Sequence, residues 1–446
     1  MNFITTLFFC VLPLFYAPFQ GCYSAATPPG DHTSSVVLPV TGNVYPTGYY
    51  HATLSIGNPP KSYFLDIDTG SDLTWLQCDA PCTKCTPAPH KPYKPNKELV
   101  ECMDPLCESV HWPETHQCQS PKEQCDYTVQ YADDGSSIGV LVKDSFSLQY
   151  INGTVAKSIL AFGCGYNQEV PASMDPPYTD GILGLGLGKA SILHQLRELG
   201  VTRSVVGHCL SAKGGGYLFF GDQLVPSSGV VWTPMSTTEI EKHYSLGTAE
   251  LFLGGKTTRM KGLPIVFDSG STYTYFSGEA YKALYSMLMN DMKGKKVYIT
   301  NEDKSLPVCW KGSKPFKSIY DVKNLFEPII LKFKKSKFQL NPESYLIISK
   351  NGNACFGILN GSEVGLENIN VIGDISFQDK IIIYDNEKQQ IGWTPANCNR
   401  LPKNFFLFIN SMDDDDDDGD GEPDSASLCK PYGSNLGILP PYCTAN

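Results

Sequence analysis

Beyond its N-terminus the chain has no apolar run of about 18 residues, the least that crosses a bilayer as a helix, so no spanning helix is expected. Charge is sparse as well: Asp, Glu, Lys and Arg make up 18% of the residues. The formal net charge of −11 is mostly a property of one end. Residues 401–446 hold nine acidic side chains against two Lys, a balance of −7, which leaves −4 for everything before them. A main body so nearly neutral offers no field to hold nucleic acid, and none is expected as a partner. No apolar stretch closes the sequence, so it carries no glycolipid-anchor signal and no membrane anchor is expected. Helix-period windows are few, namely Ala190–Leu199 and Gly278–Met292, the second with Tyr281, Leu284, Tyr285, Leu288 and Met289 on one face.

The first residues stand apart. Positions 3–19 are almost wholly apolar, contain neither Lys nor Arg, and are followed by the small residues Ser24, Ala25 and Ala26. This reads as a signal peptide over 1–25, with a buried N-terminal strand or helix as the alternative. Residues 26–46, rich in Pro, Ser, Thr and Gly, read as a leader or short propeptide. Of 16 Cys, a cut near Ala26 removes Cys10 and Cys22 and leaves an even fourteen, as a disulfide framework in an oxidising compartment needs. The expected location is the secretory pathway, ending outside the cell or in a vacuole. Asn152-Gly-Thr154 and Asn360-Gly-Ser362 are glycosylation sequons.

From Tyr49 onward the pattern is short alternating runs closed by Gly, Asn and Pro, which predicts a mainly β chain. It also repeats. Tyr63–Ser71 reads YFLDIDTGS and Pro264–Ser271 reads PIVFDSGS, about 200 residues apart. About 100 residues behind each, an apolar pair runs into glycine, at Gly181–Gly184 and at Val371–Gly373. The 446 residues exceed one ordinary core. Two related β lobes are therefore expected, over 47–228 and 229–400, with an acidic tail over 401–446.

Each copy ends an apolar strand in Asp-Thr/Ser-Gly-Ser. Glycine permits the tight turn, and the hydroxyls can hold it. Were Asp68 and Asp268 mere turn caps, nothing would require two copies, one opening each half of a repeat. Two carboxylates brought within hydrogen-bond distance cannot both ionise easily, so they share a proton. Such a pair can draw a proton from water with its ionised member and polarise a peptide carbonyl with its protonated member. Neither a metal nor another cofactor is required.

These residues resemble the pepsin-type aspartic proteases, more narrowly the plant nepenthesin-like and nucellin-like branch, over about Tyr49 to Cys398. The resemblance implies a bilobal acid-protease fold with a cleft between β lobes, a monomer, protein or peptide substrates, and endopeptidase activity at acid pH. It implies that Asp68 and Asp268 are catalytic, that Thr69 and Ser269 link the two loops beside Gly70 and Gly270, and that Ser71 and Ser271 bond the carboxylates. It implies further that Tyr131 sits on a flap steadied by Trp75. The turn signal Asp134-Gly135 agrees with a hairpin there, and Gly135 and Gly139 bracket a short polar tip. Some relatives with this fold are inactive secreted inhibitors or binding proteins that have lost part of the signature. Both signatures are complete here.

Cys78, Cys82, Cys85, Cys102, Cys107, Cys118 and Cys125 crowd a Pro- and Lys-rich insert. Cys82-x-x-Cys85 with His90 invites a zinc reading, but export favours disulfides. Seven is odd, so one partner lies outside the insert, with Cys164 a candidate. The resemblance implies the pairs Cys209–Cys398 and Cys309–Cys355. In the tail, Asp414, Asp416, Asp418 and Gly419 fit a Ca²⁺ loop whose twelfth position, Ser425, lacks the needed Glu. A solvated tail is the reading adopted.

Overall fold

The computed structural model describes residues 34–81, 85–112, 117–170, 177–236, 243–304 and 306–400. The expected signal peptide, Cys10, Cys22, Cys82 and the acidic tail with its candidate Ca²⁺ loop, Cys429 and Cys443 lie outside them.

The strands follow from local chemistry. In Tyr49–Ile56 every second side chain is buried, which is how an alternating run meets a core on one face. Gly57, at φ 99°, turns the chain so that Lys61–Asp68 pairs back antiparallel, with His51 opposite Asp66. Helices are short, and two of them lie where the helical period appears. Gly278–Asp291 buries Ala280, Leu284 and Leu288, and stacks Tyr281 on Tyr285. Ile192–Glu198 is capped by the Ser191 side chain. A further helix, Pro105–His111, sits inside the cysteine-rich insert, where the sequence pattern predicts no regular element. Asp104 caps its Leu106 amide, and Pro105 occupies the first turn, where no amide proton is needed.

The architecture is mainly β and bilobal, with one sheet common to both lobes. Among the described residues, thirteen strands run through it. Val231–Pro234, Gln390–Pro395 and Lys380–Asp385 come from the second half of the chain. Lys380–Asp385 then pairs antiparallel with Val205–Leu210, placing Ile382 opposite His208. From there the order continues through Gly216–Phe220, Val36–Asn43, Tyr49–Ile56 and Lys61–Asp68. The second lobe adds an eight-stranded and a four-stranded sheet of its own.

A leader reaching residue 46 would include Val36–Asn43, yet that strand lies between Gly216–Phe220 and Tyr49–Ile56, with Val36, Val37, Leu38 and Val40 buried. Its removal would strip two ladders of their partner and expose four aliphatic side chains.

Candidate active site

Both Asp loops rest on the same frame. Lys61–Asp68 runs parallel to Gly181–Gly184, with Ile67 opposite Leu183. Leu263–Phe267 runs parallel to Asn370–Ile372, with Phe267 opposite Ile372. The strand that follows each loop crosses the same neighbour antiparallel, putting Trp75 opposite Ile182 and Tyr275 opposite Val371. The two apolar-apolar-Gly steps of the sequence are these supporting strands. Each Asp leaves its strand still tied to the frame. Leu185 donates its amide to the Asp68 carbonyl at 2.8 Å, and the Asp268 amide donates to the Ile372 carbonyl at 3.0 Å.

Four hydrogen bonds lock the loops together. The Thr69 amide donates to Ser269 Oγ at 3.1 Å, and the Ser269 amide to Thr69 Oγ1 at 2.9 Å. Each hydroxyl then donates across the lobes, Thr69 Oγ1 to the Phe267 carbonyl at 3.2 Å and Ser269 Oγ to the Ile67 carbonyl at 2.9 Å. Both side chains are buried, so every group here needs its partner.

The carboxylates are held just above. Gly70 donates to Asp68 Oδ1 at 2.8 Å and Ser71 Oγ donates to Asp68 Oδ2. Gly270 donates to Asp268 Oδ1 at 2.9 Å and Ser271 Oγ to Oδ2 at 2.8 Å. A methyl group on Gly70 would stand 2.5 Å from Asp268 Oδ1, and one on Gly270 would stand 2.5 Å from Asp68 Oδ1. Glycine is therefore required by the approach of the opposite lobe's carboxylate.

Asp68 is 6% exposed and faces the Asp268 side chain. Burial first, and the facing Asp268 charge second, push its carboxyl well above the ordinary carboxylate range. Sequence reasoning missed two further carboxyls on the same cleft. Asp66 is held up by burial and then by Asp68, and Asp374 by burial and then by Asp66. Asp374 Oδ1 has no hydrogen-bond partner among the described residues. One available signal was the Asp-x-Asp spacing, which points both side chains to one face of a strand. Tyr275 was also missed, although it stands seven residues past Asp268 as Trp75 stands seven past Asp68.

The cleft measures about 490 Å³ and is lined by both Asp loops, Trp75, Tyr131 and Tyr275. Tyr131 sits at the turn of a hairpin formed by Asp126–Gln130 and Ser136–Gln149, with Asp134 at φ 66°. Trp75 Nε1 donates to the Tyr131 hydroxyl at 2.6 Å, so the sequence-predicted pair does meet.

The cysteines lie away from this chemistry. Disulfides join Cys78 to Cys164, Cys102 to Cys118, Cys107 to Cys125, Cys209 to Cys398 and Cys309 to Cys355. Cys85 is disulfide-bonded too, which removes its thiolate as a zinc ligand, and His90 Nδ1 faces Asp180 Oδ2 at 2.7 Å. Asn152 is exposed on a turn, where its Oδ1 accepts from Thr154, and half-buried Asn360 bonds Ser362 and Glu363.

A bilobal β fold with two opposed Asp-Thr/Ser-Gly loops and a hairpin over the cleft defines the pepsin-like class. Residues 50–222 match the family described as Xylanase inhibitor N-terminal, and residues 245–395 match Xylanase inhibitor C-terminal. An aspartic proteinase of rice (Oryza sativa subsp. japonica) is 46% identical over 387 residues, covering 83% of this chain and 93% of that protein. The solved structure of Basic 7S globulin from soybean superposes with a TM-score of 0.64 at 15% identity, over 83% of this chain and 99% of that one. An aspartic proteinase from Irpex lacteus superposes with a TM-score of 0.58 at 14% identity, over 82% and 98%. The chain belongs to the plant pepsin-like aspartic protease family. It is an aspartic endopeptidase acting on protein substrates.

Proposed function

We propose that Asp68 and Asp268 are the catalytic pair and that they activate water for attack on a peptide bond. The observation that carries this is the symmetric cradle, in which one amide and one hydroxyl hold each carboxylate while the two face each other. Like charges so close share one proton, and burial together with the facing Asp268 charge holds the Asp68 carboxyl up. The ionised carboxylate takes a proton from a water between the pair as its oxygen attacks the carbonyl carbon. The protonated carboxyl polarises the carbonyl oxygen and leaves a tetrahedral diol. A proton then passes to the departing amine as the C–N bond breaks. The flap, steadied through Trp75 and Tyr131, keeps bulk water from that step.

The disulfides support maturation in an oxidising compartment, which we read as the secretory pathway, with delivery outside the cell or to a vacuole. The test of function is direct. The folded chain, incubated with denatured protein near pH 4, should cleave it, and pepstatin should stop the cleavage. Absence of pepstatin-sensitive cleavage at every acid pH overturns the catalytic assignment.

A further inference from the structure

The repeat extends to the strand that precedes each Asp strand, and there it crosses between lobes. His51 lies opposite Asp66 and Ser245 opposite Val266, each two residues before the catalytic Asp. By that register Tyr50 matches Tyr244, both fully buried, and Tyr49 matches His243. At these strand entries each lobe reaches the other lobe's Asp loop. Thr272 Oγ1, beside the Asp268 loop, donates to the Gly48 carbonyl of the first lobe. In the second lobe His243 Nδ1 lies 3.1 Å from the Gly70 carbonyl of the Asp68 loop. A carbonyl only accepts, so this nitrogen carries the proton.

We propose that His243 is a positioning residue for Asp68, an assignment that rests on the catalytic role given to Asp68 above. Gly70 and Ser71 supply the amide and the hydroxyl that hold the two Asp68 oxygens. The peptide unit joining them begins at the carbonyl that His243 grips. Without that bond the unit can rotate, and both donors lose their aim at Asp68. The corresponding contact on the Asp268 side is a threonine hydroxyl on a backbone carbonyl, so the imidazole serves one loop alone. His243 also lines a polar cavity of about 910 Å³ with Ser191, His194, Arg197 and Asn386. A side chain bordering such a cavity can be exchanged without opening the core.

The test compares His243→Leu, which keeps bulk and loses the donor, with His243→Asn, whose amide can replace it. His243→Leu should lower kcat about tenfold with KM within about twofold, the scale of one misplaced hydrogen bond at a reacting group. His243→Asn should recover most of the loss. Amide hydrogen exchange over residues 68–72 of the full chain should quicken in His243→Leu and return towards the original rate in His243→Asn. That readout needs no turnover, so it reports on the contact even if the unsubstituted chain cleaves nothing. Unchanged kcat and unchanged exchange in His243→Leu overturn the proposal. Equal damage by both substitutions, or a change confined to KM, does so too.

Discussion

Asp68 and Asp268 leave strands of matching register, and each is held by a glycine amide and a serine hydroxyl. One step outward the lobes part. Two residues before the first Asp stands Asp66, and before the second Val266. Just past the supporting strands, Leu185 in the first lobe answers to Asp374 in the second. Seven residues on, Trp75 grips the flap tyrosine, whereas Tyr275 lines the cleft. The flap hairpin and most of the described disulfides belong to the first lobe. The inner ring is symmetric because the chemistry needs two carboxyls brought together on equal terms. The outer ring is unequal because a peptide has a direction and a shared proton needs a preferred side.

Replacing either Asp of the proposed catalytic pair by Asn is the harshest trial of that symmetry. Asp68→Asn and Asp268→Asn should each lower kcat/KM by about 10³-fold or more, since an Asn can neither give up nor share the proton. Activity surviving one of them would mean that the lobes are not equal partners. The asymmetry is probed by Trp75→Phe against Tyr275→Phe. The first removes the bond to Tyr131 and should lower kcat/KM about tenfold, while the second should stay within about threefold. Equal losses would erase the distinction between the flap side and the other.

The smallest effect concerns pH. Asp66, Asp68 and Asp374 all have folded-state values raised by burial. A raised carboxyl contributes stability that is fully present below its unfolded value, near pH 4, and is lost as pH rises through its folded value. The melting temperature should therefore fall as pH climbs from about 4 towards neutrality. Asp374→Asn should flatten that slope, because an amide has no proton to lose. A melting temperature that instead rises over this range in the unsubstituted chain would contradict the direction assigned to all three.

Much of this was legible in the sequence because it is local. A strand ending in Asp-Thr-Gly-Ser, a hairpin signal at Asp134-Gly135 and the helical period of 278–292 each announce themselves within about fifteen residues. The rest depends on distant partners. Val36–Asn43 reads as a leader by composition, and only Gly216–Phe220, far along the chain, makes it a central strand. The buried aliphatics Val36, Val37, Leu38 and Val40 were the signal present, masked by the surrounding Pro, Thr and Gly. His243 touches Gly70 across 173 positions and belongs to no motif. Asp374 follows Gly373 as an ordinary helix-start acid would, and its burial depends on the meeting of both lobes. Disulfide connectivity in the insert was open for the same reason, since seven nearby cysteines allow many pairings.

Gly70 and Gly270 are each kept bare by the carboxylate of the opposite lobe. The nearest atoms that a methyl group would meet at either position belong to the other lobe, so a lobe folding alone would lack the closest obstacle. The glycine of each signature thus records the history of an association rather than the needs of a turn. Any lineage that lets one lobe lose its Asp also frees the other lobe's glycine to drift. Paired loss, an Asp on one side and a Gly on the other, is the trace that a silenced relative of this enzyme should carry.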